Sequence, residues 1–120
     1  MMNQQYLVDD KCAYKGEIYK NSNDLYYSCT LNQTDIGANS NKYYILQLVK
    51  IDRRSSFGSK YVVFAKYGRM GDAGKVNHKT YVEELAAIDC FNKQFMSKTK
   101  NNWPVIGKFK QNDGKYFLIE

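Results

Sequence analysis

Two cationic side chains stand beside aromatic residues in the middle of this sequence, and their chemistry suits an anionic ligand. Lys42 begins the run Lys-Tyr-Tyr-Ile-Leu-Gln-Leu, and Arg69 ends the triplet Tyr67-Gly68-Arg69. Ammonium and guanidinium groups neutralise phosphate, and a tyrosine ring stacks on an exposed base or sugar. Asn41, directly before Lys42, adds an amide that donates to phosphate oxygens. These residue types together predict a nucleic-acid interface.

The glycines around Arg69 indicate a tight turn rather than a nucleotide-binding loop. Gly68, Gly71 and Gly74 fall three residues apart, so the backbone can take positive φ or let another backbone come close. A dinucleotide fingerprint needs G-x-G-x-x-G, and a Walker loop needs Ser or Thr where Val76 stands. A β-hairpin whose arginine is merely solvated is the alternative interpretation of this stretch.

Two aromatic residues near the end of the chain also accompany cations and amides. Trp103 follows Lys98–Asn102, and Tyr116 follows Lys115. Stacking on an unpaired base or a strand end is the functional interpretation of both rings. The structural alternatives are core packing for Trp103 and stabilisation of the helix dipole by the lysines that precede it.

The positioning elements are predicted to be mainly strands. Lys42–Ile51 is almost continuously apolar, as expected of a central strand covered on both faces, and Tyr61–Phe64 begins a second strand joined to it as a long hairpin. Leu25–Leu31 alternates, which predicts a strand with one apolar face. That face consists of Leu25, Tyr27, Cys29 and Leu31.

Shorter or irregular segments are expected around these strands. Tyr6–Val8 and Cys12–Tyr19 have the character of short or edge strands. The polar segment Asn32–Asn41 is expected to be a loop that delivers Asn41 to the next strand. Gly107–Glu120 is expected to form a closing hairpin or a final sheet strand.

One helix is predicted after the second half of the sheet. Thr80 and Glu83 have the spacing of a capping box at its start. Asn101 and Asn102 tolerate the left-handed conformation that ends a helix. An apolar stripe with spacings of three and four predicts core packing for Leu85, Ile88, Phe91 and Phe95. The predicted class is α+β, an antiparallel β-sheet with one packed α-helix.

Length and composition indicate one basic domain, expected at residues 6–120 after a flexible N-terminus at 1–5. The chain has 18 Lys and Arg against 12 Asp and Glu, a net charge of +6 that favours anionic partners. Three scattered cysteines and one histidine predict neither a zinc site nor a cofactor, and they fit a reducing compartment. No apolar run reaches the roughly 20 residues that cross a bilayer, and no nucleophile has a base nearby. A soluble binding module, not an enzyme, is expected.

Several of these stretches, taken together, resemble the WGR domain of DNA-dependent poly(ADP-ribose) polymerases. The matching segments are Lys42–Leu48, Tyr67–Gly71, Phe95–Trp103 and Gly114–Tyr116. They occur in order over about residues 6–120, which is far more specific than the glycine turn alone. The segment Leu31–Asp35, ahead of Asn41, is most similar to the second, shorter member of that enzyme family.

The resemblance implies a nuclear DNA-repair domain that binds DNA breaks and engages a 5′-phosphorylated end. It also implies docking on a catalytic ADP-ribosyltransferase domain, in the same chain or in a partner, so that any NAD chemistry lies outside these 120 residues. Asn41 and Lys42 match family positions near the 5′-phosphate. Trp103 and Tyr116 match aromatic positions near the DNA end.

The triplet Tyr67-Gly68-Arg69 matches the motif from which the family takes its name, with one departure. Tyr67 stands where the family has tryptophan, so weaker stacking is expected there. The family arginine is tied to DNA contact and to communication between domains, which the resemblance extends to Arg69. Two alternatives remain open, a protein-docking module without direct DNA contact and an RNA-binding or single-strand-binding module.

Overall fold

The residues that the structure describes form a six-stranded antiparallel sheet with one α-helix. The computed structural model describes residues 7–35, 37, 40–55 and 58–119. The elements are β1 (Gly16–Ile18), β2 (Ser28–Asp35), β3 (Ser40–Ile51), β4 (Tyr61–Arg69), β5 (Lys75–Tyr81), α1 (Glu84–Thr99) and β6 (Phe117–Leu118). The strand order is β5-β4-β3-β2-β6, and β1 pairs with the end of β3. The predicted α+β class, with one helix on an antiparallel sheet, is confirmed.

The twelve-residue strand β3 is the central strand that its apolar sequence predicts. Leu46 and Leu48 pack on the side of the sheet that the helix covers, and Val49 and Ile51 pack in a second cluster on the other side. Complete burial of such a side chain contributes about 1.5–3 kcal/mol relative to exposure. The β3–β4 hairpin is also confirmed, since these strands pair from Lys42 to Lys50 of β3.

The helix buries most of the predicted stripe, since Ile88 also packs against the core, but the stripe does not extend to Leu85. Phe91 and Phe95 are buried as expected, but Leu85 is 79% exposed and Ala87 lies in the core instead. The buried positions recur every four residues and end at Thr99. Because each residue turns the helix by about 100°, Leu85 points almost opposite to Ala87. The contact face therefore follows the phenylalanines and not every apolar residue.

The predicted capping box is wrong, whereas the predicted helix end at Thr99–Asn102 is confirmed in place, although a different residue takes the left-handed conformation. Thr80 lies inside β5, and Glu83 occupies the N-cap position without a side-chain capping bond. The helix begins at Glu84, four residues after Thr80, so Thr80 is too far upstream to cap it. At the other end Lys100, not an asparagine, takes the left-handed conformation, with φ of 56°, and its N–H donates to the Met96 carbonyl.

No described helix has the length and apolar character to span a bilayer.

The predicted polar loop at 32–41 is shorter than expected. Its first residues extend β2 to Asp35, and Ser40 and Asn41 already belong to β3. Side-chain amides reinforce the ladder, because Asn32 Nδ2 donates to Asn41 Oδ1 at 2.8 Å. Cross-strand hydrogen bonds of this kind compensate for the low strand propensity of asparagine.

The N-terminal segment follows the sheet without joining it. The predicted strand at 6–8 is wrong, since Leu7 and Val8 are irregular; residues 1–6, with the predicted flexible terminus, lie outside the described part. The backbone of Gln47 is paired with β2 and β4, and its carboxamide holds this segment by accepting from Asp9 N at 3.0 Å and donating to the Leu7 carbonyl at 3.0 Å. Of the strand expected at 12–19, only β1 forms.

A histidine holds the next part of this segment. Ala13 N–H donates to His78 Nε2 at 2.9 Å, which requires that nitrogen to be unprotonated. The His78 ring packs against Phe64 at 5.1 Å and Tyr14 at 5.9 Å between centroids. Burial lowers the pKa of His78 from its ordinary value of 6.5. The neutral ring is therefore the form that the fold stabilises.

The position of His78 predicts a loss of stability in mild acid. The folded state binds fewer protons than the unfolded state once the pH falls through the ordinary histidine pKa, so the free energy of unfolding decreases there. Urea denaturation between about pH 7.5 and pH 5.5 measures this slope. His78→Gln keeps an acceptor for Ala13 N–H but cannot titrate, so we expect a flatter slope. Equal slopes for both proteins would contradict the assignment.

Candidate nucleic-acid interface

Lys42 and Arg69 lie directly opposite each other where β3 begins and β4 ends. They are partners in the β3–β4 register, and both are exposed. Met70 N donates to the Asn41 carbonyl at 2.8 Å, so the next pair, Lys42 with Arg69, has the non-hydrogen-bonded geometry. In that geometry the Cβ atoms of partners are about 4.5–5.5 Å apart. The two cationic side chains therefore leave the sheet side by side.

This pair carries uncompensated positive charge. Like charges directly opposite on neighbouring strands destabilise a sheet. The ion pairs among the described side chains lie elsewhere, and none includes Lys42 or Arg69. An anionic group with several oxygens, such as a phosphate, would accept hydrogen bonds from both cations and remove their repulsion. The geometry therefore fits a phosphate between the two side chains.

A layer of tyrosines lies one row further into the sheet. Tyr67 is paired with Tyr44, and their rings stack at 5.5 Å with 18° between their planes. Tyr116 packs against the same Tyr44 ring at 5.7 Å. Tyr44 is 3% exposed, whereas Tyr67 and Tyr116 are partly exposed. We call the group Lys42, Tyr67, Arg69 and Tyr116 the strand-end cluster, with Tyr44 as its floor.

The floor of the strand-end cluster is anchored to the helix. Gln94 Nε2 donates to the Tyr44 hydroxyl oxygen at 3.2 Å, and Lys98 Nζ lies 5.0 Å from the centre of the Tyr44 ring. Burial raises the pKa of Tyr44 to about 12, so the phenol is neutral near physiological pH. Tyr116 N donates to the Lys98 carbonyl at 2.9 Å, which holds the C-terminal segment on the helix end.

The predicted site is divided between the two faces of the sheet. Asn41 alternates with Lys42 along β3, so its side chain lies on the face opposite the helix. There its Oδ1 accepts from Asn32 Nδ2 at 2.8 Å and from Thr34 Oγ1 at 3.2 Å. Its Nδ2 group remains as a hydrogen-bond donor. Asn41 and Lys42 thus share the end of the sheet but approach a ligand from different sides.

Two of the three glycines lie where a side chain would collide with a neighbour, Gly74 against Tyr43 and Gly68 against the Gly74 backbone. A Cβ on Gly74 would overlap the Tyr43 hydroxyl and lie 2.8 Å from the Tyr67 carbonyl oxygen, and a Cβ on Gly68 would lie 2.9 Å from the Gly74 Cα. Gly71 and Gly74 also have φ of +94° and +80°. The predicted glycine turn is confirmed, and its tight packing fixes the strand end that carries Arg69.

Trp103 is placed in the core. Its ring makes edge contacts with Phe91 at 5.0 Å and Phe95 at 5.1 Å, and a tilted contact with Tyr27 at 6.0 Å. The half-buried indole thus packs against the buried face of the second half of the helix. These contacts favour the structural alternative for Trp103 over a stacking platform.

Sequence reasoning missed two residues that shape the site. Gln33 pairs with Lys42, so one row across three strands consists of Gln33, Lys42 and Arg69. Tyr43 is the side chain that packs on the glycine turn. The signal for Gln33 was the period-two continuation of the β2 face beyond Leu31, which was hidden by the expectation of a loop.

Comparison with known proteins identifies relatives over most of the chain. The family model of the WGR domain matches residues 27–110. Protein mono-ADP-ribosyltransferase PARP3 of Mus musculus is 44% identical over 96 residues, which cover 78% of this chain and 16% of that protein. Poly [ADP-ribose] polymerase 2 of Homo sapiens is 36% identical over 117 residues, which cover 94% of this chain and 19% of that protein. The chain therefore spans less than a fifth of the length of these relatives.

The glycine turn yields a prediction about stability. Gly71→Ala adds only backbone strain, because a Cβ placed at this position has no neighbour within 4 Å. It should lower the free energy of unfolding by about 1–2 kcal/mol. Gly74→Ala adds a collision with the Tyr43 hydroxyl and should cost roughly 1–3 kcal/mol more. Urea denaturation measures both free energies of unfolding. Adding Tyr43→Phe to Gly74→Ala should restore part of the loss; equal costs for both glycines would refute the packing role.

Proposed function

The chain belongs to the WGR domain family, and from this premise we propose that it is a regulatory DNA-binding domain that recognises 5′-phosphorylated DNA ends. The observation that carries the proposal is the pair of opposed, uncompensated cations at the strand end, Lys42 and Arg69. A terminal phosphate carries more negative charge than a phosphodiester and offers more free oxygens. Such a group gains most from two converging donors.

Each residue of the proposed site has a role that follows from its position. The Arg69 guanidinium binds two phosphate oxygens at once, and Lys42 supplies a second positive charge. Asn41 donates through Nδ2 from the other face of the sheet. Gly68 lets the Gly74 backbone pack directly against the strand, which fixes the end of β4 that carries Arg69. These four residues form the proposed phosphate site.

The aromatic members of the strand-end cluster favour an end over a continuous duplex. Tyr67 and Tyr116 are partly exposed, and a base can stack on them only where it is not already stacked on both sides. A DNA terminus offers such a base. We assign Trp103 an indirect role, which is to hold the helix end against the core.

We further propose that DNA binding by this domain regulates an ADP-ribosyltransferase catalytic domain. The relatives are named as a mono-ADP-ribosyltransferase and a poly(ADP-ribose) polymerase, and the chain matches only a small part of each. The catalytic domain would lie in the same chain or in a partner. Function in nuclear DNA repair follows from this assignment.

Arg69→Gln tests the phosphate site directly. Fluorescence anisotropy compares one duplex with and without a 5′-phosphate, at several salt concentrations. The unmodified domain should prefer the phosphorylated end, and Arg69→Gln should lose most of that preference, a change of about 1.5–3 kcal/mol for a charge-assisted hydrogen-bonded contact. Lys50→Gln is the matched control, because Lys50 is exposed on the same strand about 26 Å from Lys42.

The outcomes of this experiment separate the alternatives. Equal losses from Arg69→Gln and Lys50→Gln would mean diffuse electrostatic binding and would remove the phosphate site. Absence of DNA binding would favour the protein-docking module. Tighter binding of unpaired RNA than of a duplex end would favour the single-strand module.

Coupling to catalysis is tested in a protein that carries both domains. In such a protein, the rate of NAD consumption should rise when phosphorylated DNA ends are added, and Arg69→Gln should reduce that rise at subsaturating DNA. The rate without DNA should stay the same, since Arg69 does not contact NAD in this proposal. An undiminished response to DNA in Arg69→Gln would contradict the coupling.

A further inference from the structure

A second basic surface lies at the C-terminal end of the helix. A cavity of about 260 Å³ opens there between the helix end and the segment that follows it. Its charged lining consists of Lys100, Lys108 and Lys110, and no carboxylate lines it. All three lysines are exposed. None of them takes part in an ion pair among the described side chains.

The lysines stand on a frame that hydrogen bonds fix in place. Asn101 Nδ2 donates to the carbonyls of Lys110 at 2.8 Å and Thr99 at 2.9 Å, while its Oδ1 accepts from Lys110 N at 3.1 Å. Asn112 Nδ2 donates to the Thr99 carbonyl at 2.9 Å and to the Lys110 carbonyl at 3.1 Å. The backbone of the segment is thereby held on the helix end. These hydrogen bonds therefore fix the walls of the cavity.

The helix dipole accounts for only part of this charge. A cation in the last helical turn is stabilised by the partial negative charge of the helix C-terminus, and Lys98 already occupies that turn. Lys108 and Lys110 come from a separate segment. Lys100 adopts the left-handed conformation, with φ of 56°. Asparagine tolerates this conformation more readily than lysine. The sequence nevertheless has lysine at this position and asparagine at the next two. The charge therefore exceeds what the helix requires.

We propose that this helix-end cavity binds the phosphodiester backbone of the duplex that flanks the DNA end. The inference rests on the proposed function, because it takes the DNA end to be held at the strand-end cluster. Lys98 lies over Tyr44, the floor of that cluster, and Lys100 lines the cavity two residues later. One helix end thus presents cations to both places, and a single duplex can contact both.

The chemistry of the cavity favours backbone contact without base recognition. Lysine acts on phosphate as a mobile point charge, and the Asn101 amide is already committed to the frame. Ile106, on the rim and 91% exposed, offers an apolar surface to a deoxyribose. Contacts of this type position a duplex and carry no sequence information. Binding at the cavity is therefore expected to be independent of sequence.

The test separates the flanking contact from the end contact. Two hairpin-closed duplexes carry the same 5′-phosphorylated end but have roughly 3 and 15 base pairs, so that the shorter stem of about 10 Å ends near the strand-end cluster and the longer stem extends past the cavity. The unmodified domain should bind the longer duplex roughly ten-fold more tightly at low salt. The double variant K108A/K110A should lose this gain in affinity with length. The slope of the logarithm of its binding constant against the logarithm of the salt concentration should decrease in magnitude by about two. Its preference for the 5′-phosphate should remain.

A charge-matched variant controls for the larger number of sites on longer DNA. K50A/K60A removes two exposed lysines from the opposite end of the sheet and should keep the length gain. A length gain that survives in K108A/K110A, or that disappears equally in K50A/K60A, would overturn the inference. Failure of the proposed function appears differently, as binding that is indifferent to the 5′-phosphate at both lengths.

Discussion

The antiparallel register of β3 with β4 is the constraint on which the rest of the molecule depends. It places Lys42 opposite Arg69 and, one row inward, Tyr44 opposite Tyr67. A shift of one residue would move every side chain of β4 to the other face of the sheet. It would exchange Val63, which packs in the helix-side core, with Val62, which packs in the cluster on the other face, and it would take Arg69 off the face that carries Lys42. The buried core of the sheet therefore fixes the register, and the register assembles the site.

The same register makes the strand end costly in the absence of a ligand. Two like charges face each other with no described carboxylate to balance them. The cost is tolerable because both groups are exposed, where water screens the repulsion. The rigid parts lie behind them, in the Tyr44–Tyr67 stack and in the glycine turn that packs on Tyr43. Stability resides in these neighbours, and the cation pair remains available for an anion.

Local patterns predicted the features that depend on local physics. The apolar run of β3, the β3–β4 hairpin, the glycine turn and the burial of Phe91 and Phe95 all follow from residue type and spacing. The pattern at Thr80 was misleading, because β5 continues through it and pairing with β4 outweighs a local capping preference.

The face of Asn41 and the position of Trp103 depend on tertiary contacts. The first requires the register of β2 with β3, which was hidden because a segment rich in asparagine favours a loop prediction. The position of Trp103 depends on the path of the chain after α1, which brings the indole back against Phe91 and Phe95. The extent of the buried helix face was misjudged for a similar reason, since apolar spacing alone includes Leu85. Only the sheet beneath the helix selects Ala87.

The tyrosine in place of the tryptophan of the family motif changes the balance between charge and stacking. Tyr67 lies parallel to Tyr44, so one of its faces is already covered by a neighbour. Such an aromatic pair contributes about 0.5–1.5 kcal/mol beyond burial, which holds the smaller ring firmly in place. Its remaining surface is less than an indole would offer. Under the proposed function, charge at Lys42 and Arg69 therefore supplies a larger share of the affinity than in a relative with tryptophan at this position. The salt slope, which depends on the number of neutralised phosphates, should be the same in both, so the difference should appear as weaker binding at every salt concentration.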